Sequence, residues 1–328
     1  MDRAEQLSEE LVLGLLAEAR DGFLSGEALS DKLGLSRAVV FKGIDALRSK
    51  GYQIDSVPRK GYRLVAMPDR VTALELQPIL GTHELGRAVH AFDDVDSTND
   101  VARQMAEEGA THGELVVAEA QRRGRGRRGR QWLAPRGTSL LFSLVLRPEL
   151  PPARAPELTL AAAVAVAEVL RGAGFDARIK WPNDVLIRGK KVAGLLTELS
   201  ADAERIRFAI LGIGLNVNLE RVDLPPEVAE GATSLRIERG EPVPRSFLLA
   251  ALLTSLEDWL ERHRESGFAA VRSRWLELSA TIGARVTVDD GAERIAGVAV
   301  DLDAAGALLV REDGGRLRRV VAGDVSLG

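Results

Sequence analysis

The chain has 328 residues, with 44 basic and 48 acidic side chains, a formal net charge of −4, and 45% apolar and 28% charged content. This balance is that of an ordinary globular protein. It excludes a chain disordered from end to end and, taken whole, a nucleic-acid-binding composition. Cysteine is absent, so disulfides, thiolate nucleophiles and cysteine zinc sites are excluded.

At roughly 150 residues per domain, the length predicts about two domains, or three if one is small. No basic region precedes an apolar stretch at the N-terminus, and the longest uncharged apolar run, Phe208–Leu219, has twelve residues. A cytoplasmic protein with no signal, no membrane span and no membrane partner is expected. The four histidines are scattered, so no protein-held metal is predicted. Magnesium riding on a nucleotide phosphate needs few protein ligands and stays compatible.

Residues 5–19 carry Leu7, Leu11, Val12, Leu15 and Leu16 at helical spacing. A short helix follows over Glu27–Leu33, closed by Gly34. Ser36 then suits the N-cap of a helix over Arg37–Lys50, with Val40, Ile44 and Leu47 inward. Gly43 weakens that helix by up to ~1 kcal/mol. Two alternating segments, Tyr52–Val57 and Tyr62–Val65, flank a Pro58–Gly61 turn. Helix, tight turn, helix and basic hairpin is the order of a winged helix-turn-helix. Lys32 to Arg63 holds eight basic and two acidic residues, a local +6. Ser36, Arg37 and Lys42 on the second helix, with Arg59 and Lys60 at the hairpin tip, are the predicted DNA contacts. A helical protein-interaction domain with a solvated charged face is the alternative.

Beyond a linker at Pro68, strand and helix patterns alternate. Strands are predicted at Val89–Phe92, Leu115–Ala120, Ser139–Leu146, Arg178–Trp181, Val185–Ile187, Val192–Leu199 and Arg205–Asn216. Helices are predicted at Val101–Glu108, Leu158–Leu170, Arg245–Glu265 and Phe268–Leu278. Mixed order with several hairpins argues α+β.

Four places concentrate chemistry. Arg122–Arg130 packs six arginines and three glycines into nine residues, followed by Trp132. Its amides and guanidiniums suit an anionic ligand. Mutual repulsion predicts a loop that stays mobile until an anion arrives, and an RNA-binding Arg/Gly segment is the weaker alternative. In Lys180-Trp181-Pro182-Asn183-Asp184, Pro182 favours an extended Trp181 and Asn-Asp a hairpin turn. This sets Lys180 at a strand end, where it can face a developing negative charge. Ser97-Thr98-Asn99 reads as a helix cap. Gly212 and Gly214 interrupt an apolar strand, as where a ligand or backbone lies close. There is no Walker A sequence.

Ser97-Thr98-Asn99, Gln121 with Gly124–Arg130 and Trp132, Lys180–Asp184, Gly194 before Glu198, and Gly212–Asn218, in this order, resemble biotin protein ligases. Ser36-Arg37-Ala38 and Pro58–Tyr62 resemble the bifunctional members, which are also biotin operon repressors. Gly283–Leu327 resembles their SH3-like barrel. The resemblance spans the chain and implies three parts: a winged helix-turn-helix at 1–66, a class II synthetase-like mixed-sheet catalytic domain at 67–278, and a small SH3-like barrel at 279–328. It implies ATP and biotin as substrates, with Mg2+ carried by ATP. Biotinyl-5′-adenylate forms first, and a lysine of a biotin carboxyl carrier protein then takes the biotin. The adenylate would serve as corepressor, promoting a homodimer on operator DNA.

By the same resemblance, Ser97, Thr98, Asn99, Gln121, Arg125, Gly126, Arg127, Lys180 and Gly194 would bind biotin. Arg125, Arg127, Trp132, Lys180, Asn183 and Asn216 would face the nucleotide, with Lys180, Arg125 and Arg127 catalytic. The adenylate-covering stretch 223–235 has no aromatic to pack on adenine. A monofunctional ligase with a vestigial winged domain, and a biotin-sensing regulator without ligase activity, are the alternative functions.

Overall fold

The computed structural model describes residues 3–19, 22–291 and 293–328. The chain separates into two compact units, Met1–Gly81 and Thr82–Gly328.

In the first unit, α1 (Arg3–Glu18), α2 (Gly26–Leu33) and α3 (Arg37–Ser49) precede a two-stranded hairpin, β1 (Gln53–Val57) and β2 (Gly61–Ala66). The apolar stripes meet in one core: Val12, Leu13 and Leu16 of α1 against Leu29, Val40, Ile44 and Leu47. The Leu7 side chain of the predicted stripe lies outside the described residues. Ser25 Oγ caps α2 by accepting from Ala28 N–H at 3.0 Å, and Gly34 ends it at φ +63°. Ser36 Oγ caps α3 by accepting from Val39 N–H at 3.3 Å. Gly43 is buried against α1, where a Cβ would lie 3.5 Å from Val12 Cγ2. A Cβ there would make an ordinary contact with α1, and Gly43 is not on the exposed face of α3.

The expected linker beyond Pro68 is more structured than its composition suggests. Helix α4 (Ala73–Leu76) carries a capping box between Thr72 and Glu75, followed by a 3₁₀ turn at Gln77–Ile79. Glu75 is buried and accepts a 2.5 Å hydrogen bond from Tyr52 Oη. That bond ties the segment to the first unit.

The second unit is built on a seven-stranded sheet. Its elements in chain order are β3 (Val89–Phe92), α5 (Thr98–Glu107), β4 (Leu115–Ala118), β5 (Ser139–Leu146), α6 (Pro156–Gly172), β6 (Ala177–Lys180), β7 (Asp184–Ile187), β8 (Lys190–Ala201) and β9 (Ile206–Asn216). The strand order is β3-β4-β5-β9-β8-β7-β6, and only β3–β4 is parallel. Helix α5 packs on β4, β5 and β9. Helix α6 packs on β6–β8 and meets α8 (Arg245–Ser266) and α9 (Phe268–Leu278), which follow the short α7 (Leu235–Arg239). Alanines 161–163, 165 and 167 keep α6 thin enough to be buried between sheet and helices.

The chain closes with an antiparallel sheet: β10 (Arg285–Asp289), β11 (Arg294–Leu302), β12 (Leu308–Glu312), β13 (Leu317–Val320) and β14 (Asp324–Leu327), ordered β13-β12-β11-β10-β14. Strand β13 is not predicted, because its Leu-Arg-Arg-Val has two adjacent charges and no apolar alternation. The architecture is mixed α+β, with a helix-turn-helix, a mixed-sheet body and a C-terminal antiparallel sheet. Among the described residues, no helix is long and apolar enough to cross a membrane.

Candidate functional site

Helix α5 starts one turn earlier than predicted. Ser97 is the N-cap but its side chain makes no capping bond, while Thr98 and Asn99 lie inside the first turn, buried at about 4% exposure. Their side chains therefore turn inward and join a polar network. Thr98 N–H donates to Gln121 Oε1 at 2.7 Å. Ser143 Oγ lies 2.6 Å from Asn99 Oδ1 and 2.8 Å from Thr98 Oγ1. Asn99 Nδ2 donates to Glu198 Oε2 at 2.7 Å. Ser143 sits on β5 directly opposite Gly212 of β9. A Cβ at Gly212 would run into Asn99 Oδ1, so this glycine makes room for a side chain rather than for a backbone.

The arginine loop lies above. Each charge but one has a carboxylate: Arg122 and Arg123 pair with Asp96, Arg125 with Asp100 and Glu198, Arg128 and Arg130 with Asp324. The expected repulsion is thus offset by surrounding acids. The Arg123 guanidinium bonded to Asp96 holds that carboxyl below the usual range. Arg127 is the exception. Among the described residues it reaches no carboxylate within ion-pair distance, and donates instead to Asn183 Oδ1 and the Gly323 carbonyl, both at 3.2 Å. Burial pulls the Arg127 pKa down.

Lys180 ends β6 and faces Asp184 across the first pair of the β6–β7 hairpin. Burial pulls its pKa below the usual lysine value, with Asp184 opposing. Trp181 does not continue the strand as expected. It enters the turn through a cis peptide to Pro182. Its indole is 2% exposed and donates to the Gly306 carbonyl at 3.1 Å, while its backbone N–H donates to Thr281 Oγ1 at 2.9 Å. The C-terminal sheet thereby fixes the turn that carries Lys180. Asn183 Nδ2 donates to the Leu195 carbonyl at 2.6 Å, holding the turn to β8.

These groups line one cavity of about 580 Å³. Ser97, Thr98, Asn99 and Gln121 line it together with Arg125, Gly126, Arg127 and Lys180. Gly194, Trp132, Asn183 and Asn216 complete the predicted set in the same space. Trp132 lies over a glycine floor: a Cβ would stand 2.9 Å from its ring at Gly194 and 2.5 Å at Gly214. Its Nε1 is buried with no hydrogen-bond partner among the described residues. Asn216 is buried and donates to the Thr233 carbonyl at 3.0 Å, so it holds the 223–235 stretch. Leu224, Pro225 and Val228 of that stretch also line the cavity and give it aliphatic surface.

The sequence reading missed two residues here. Lys191 Nζ is 2.6 Å from Asp184 Oδ1 and 5.5 Å from the Trp132 ring centroid, a second lysine at the cavity. Its place after the Arg188-Gly189 turn, in hairpin register with Leu186, was the available signal. Ser143 had no signal, since it reads as one polar residue in an apolar strand. Among the described residues, no group of three His, Asp or Glu is arranged to hold a metal ion.

In the first unit, Arg37 and Lys42 are exposed on α3 and border one cleft with Tyr62 of β2. Arg37 is 2.9 Å from Glu27, both largely exposed. Arg59 stands exposed at the hairpin tip with φ +66°, beside Lys60, whose Nζ lies 5.9 Å from the Phe23 ring centroid. Ser36 is committed to its cap, and Phe41 lies exposed between Arg37 and Lys42 on the helix surface.

Residues 91–216 match the biotin/lipoate A/B protein ligase family, residues 8–63 a helix-turn-helix domain and residues 281–328 the biotin protein ligase C-terminal domain. The chain is 37% identical to the bifunctional ligase/repressor BirA of Bacillus subtilis (strain 168), over 97% of this chain and 98% of that protein. It is also 37% identical to the Escherichia coli (strain K12) protein of the same name, over 96% of each. Among solved structures, the biotin protein ligase from Aquifex aeolicus in complex with biotin and ATP aligns with a TM-score of 0.64 and 30% identity, covering 74% of this chain and 99% of that one.

Proposed function

The chain belongs to the biotin protein ligase family, and from that premise we propose that it is a bifunctional ligase and repressor. It activates biotin with ATP, transfers it to a lysine of a biotin carboxyl carrier protein, and represses biotin genes through its N-terminal helix-turn-helix. The observation that carries the reading is one cavity lined both by a polar cluster (Thr98, Asn99, Gln121) and by three cations, Arg125, Arg127 and Lys180.

The chemistry follows from that arrangement. A carboxylate must approach an α-phosphate, and both are negative. Arg127 and Lys180, both half-buried, supply positive charge there, which offsets the repulsion and holds the partners in line. A biotin carboxylate oxygen attacks the α-phosphorus, the bond to the β-phosphate oxygen breaks, and pyrophosphate leaves. The neutral amine of the acceptor lysine then attacks the carbonyl carbon of the mixed anhydride. The amine gives up a proton and AMP departs. We assign Ser97, Thr98, Asn99, Gln121, Gly126 and Gly194 to biotin, and Trp132, Asn183 and Asn216 to the nucleotide. Trp132 provides the aromatic face that the 223–235 stretch lacks, with Val228 as an apolar cover. Magnesium, carried in by ATP, neutralises phosphate charge when bound.

Residues 1–66 are assigned to operator DNA, 67–278 to the chemistry, and 279–328, an SH3-like module, to bracing the Lys180 turn. A cytoplasmic location and a homodimer promoted by the adenylate belong to the same proposal. The test is incubation with ATP, magnesium, biotin and a biotin carboxyl carrier domain, followed by mass spectrometry of the carrier. Biotin on a single lysine is expected. An unmodified carrier that an active ligase does biotinylate would refute the reading.

A further inference from the structure

Glu198 does not line the cavity, yet one of its carboxylate oxygens holds two residues that do. Oε2 accepts from Asn99 Nδ2 at 2.7 Å and from Arg125 Nη2 at 2.9 Å, while Oε1 lies 3.5 Å from Arg103 Nη2. Asp100 Oδ1 shares Arg125 Nη2 at 2.6 Å. An ionised carboxylate only accepts. It therefore commits the amide nitrogen of Asn99 to its own side, where the Leu196 carbonyl is a second, longer acceptor at 3.5 Å. Asn99 Oδ1 is then left facing Ser143 and can only accept. Ser143 has one proton and two oxygens in reach, Asn99 Oδ1 at 2.6 Å and Thr98 Oγ1 at 2.8 Å. The proton goes to Asn99. The Thr98 hydroxyl then donates to Ser143 rather than to Gln121 Oε1 at 3.1 Å, which already accepts from Thr98 N–H at 2.7 Å, because two oxygens at 2.8 Å with no proton between them repel more than the longer pair. Ser143 is fully buried and Thr98 and Asn99 nearly so, which leaves no room for water to relax this order.

We propose that Glu198 is a specificity-determining positioning residue, which through Asn99 and Ser143 fixes the Thr98 hydroxyl as an acceptor toward the cavity. The ligand this favours is one that donates N–H there. The cyclic urea of biotin does so, whereas the dithiolane ring of lipoate has no such donor. The inference rests on the ligase reading and deepens it.

The experiment is calorimetric titration of the full chain with biotin and with lipoate, in wild type, Glu198→Ala, Glu198→Gln, Asn99→Ala and the Glu198→Ala/Asn99→Ala double variant. Thermal unfolding and ATP KM are recorded for each. Loss of the acceptor weakens biotin binding by about tenfold or more, the usual effect of leaving a buried donor unpaired. Glu198→Gln restores it to within about threefold, since its amide oxygen still accepts from Asn99 although the charge beside Arg125 is gone. Glu198→Ala adds less than about twofold on the Asn99→Ala background, the signature of two residues acting as one unit. ATP KM stays within about twofold throughout. Unchanged biotin affinity in Glu198→Ala overturns the proposal. So does a Glu198→Gln protein as weak as Glu198→Ala, which would move the effect to the Arg125 ion pair. Wild type that binds lipoate rather than biotin overturns the ligase reading itself, and this inference with it.

Discussion

Lys180 Nζ lies 4.0 Å from Asp184 Oδ2 across the closing pair of the β6–β7 hairpin, while Asp184 Oδ1 is taken by Lys191 at 2.6 Å. Asp184 is thus divided between two ammonium groups, and Lys180 holds the longer contact. Its charge remains available to a ligand. Replacing Lys180 with alanine is expected to slow adenylate formation by about 10²–10³, the usual cost of removing one preorganised electrostatic contact. The unfolding midpoint should stay within a few degrees, which circular dichroism checks.

The same lysine sets a pH dependence. Burial lowers its pKa, and the charged form does the work. Adenylation should therefore fall as pH rises through that lowered value, below the roughly 10.4 of an ordinary lysine. Lys180→Arg stays charged, so whatever activity it keeps should lose this alkaline limb. A wild-type profile flat across that range would remove Lys180 from the charged role.

Trp132 depends on bare backbone beneath it. Gly214→Ala would place a methyl 2.5 Å from Trp132 Cε2 and force the ring out of its seat. ATP KM in the exchange reaction should rise by about tenfold, the order of one lost aromatic contact. Gly172→Ala, at a helix end with open space around it, is the matched control and should change neither KM nor stability.

Acid stability should trace to Glu157. This buried carboxyl accepts both Arg154 nitrogens, at 2.9 and 2.8 Å, and contacts His263 Nε2 at 2.6 Å. Burial alone would raise its pKa, but the bonds from His263 and Arg154 outweigh it and the pKa is lowered. A carboxyl depressed in the folded state contributes stability above its unfolded pKa and loses it as pH falls through the folded one. The unfolding midpoint should drop below about pH 4, and Glu157→Gln should flatten that drop. The variant should also be less stable near pH 7 by about 1–3 kcal/mol, the order of weakening hydrogen bonds to a buried charged group.

DNA binding by the first unit should be salt-dependent. Arg59 and Lys60 at the hairpin tip are exposed and, if each neutralises one phosphate, Arg59→Ala and Lys60→Ala should each reduce the slope of log affinity against log salt by about 0.9. Binding of operator DNA by gel shift at several salt concentrations measures this. An unchanged slope in both variants would take the hairpin off the phosphates.

Much of this was legible in the sequence because it rests on local rules. Ser36 and Gly34 punctuate the helices of the first unit, and the strand lengths around Ser139–Leu146 follow from unbroken apolar runs. The glycines at 212 and 214 marked close approach, but their neighbours, Asn99 and Trp132, come from distant segments and could not be named. The arginine loop looked self-repelling because its partners Asp96, Asp100, Glu198 and Asp324 are brought to it only by the fold. Helix α4 was hidden by its length of four residues; its signal was the Thr72–Glu75 capping box. Strand β13, with two adjacent arginines, depends on pairing with β12 rather than on its own pattern.

The most direct test is ATP–pyrophosphate exchange by the purified full chain, with biotin, with lipoate and with neither. Exchange that requires biotin is the predicted result, because it reports formation of the adenylate in the cavity of Lys180, Arg125 and Arg127. Exchange driven by lipoate, or no exchange with either acid in a folded protein, would contradict the account.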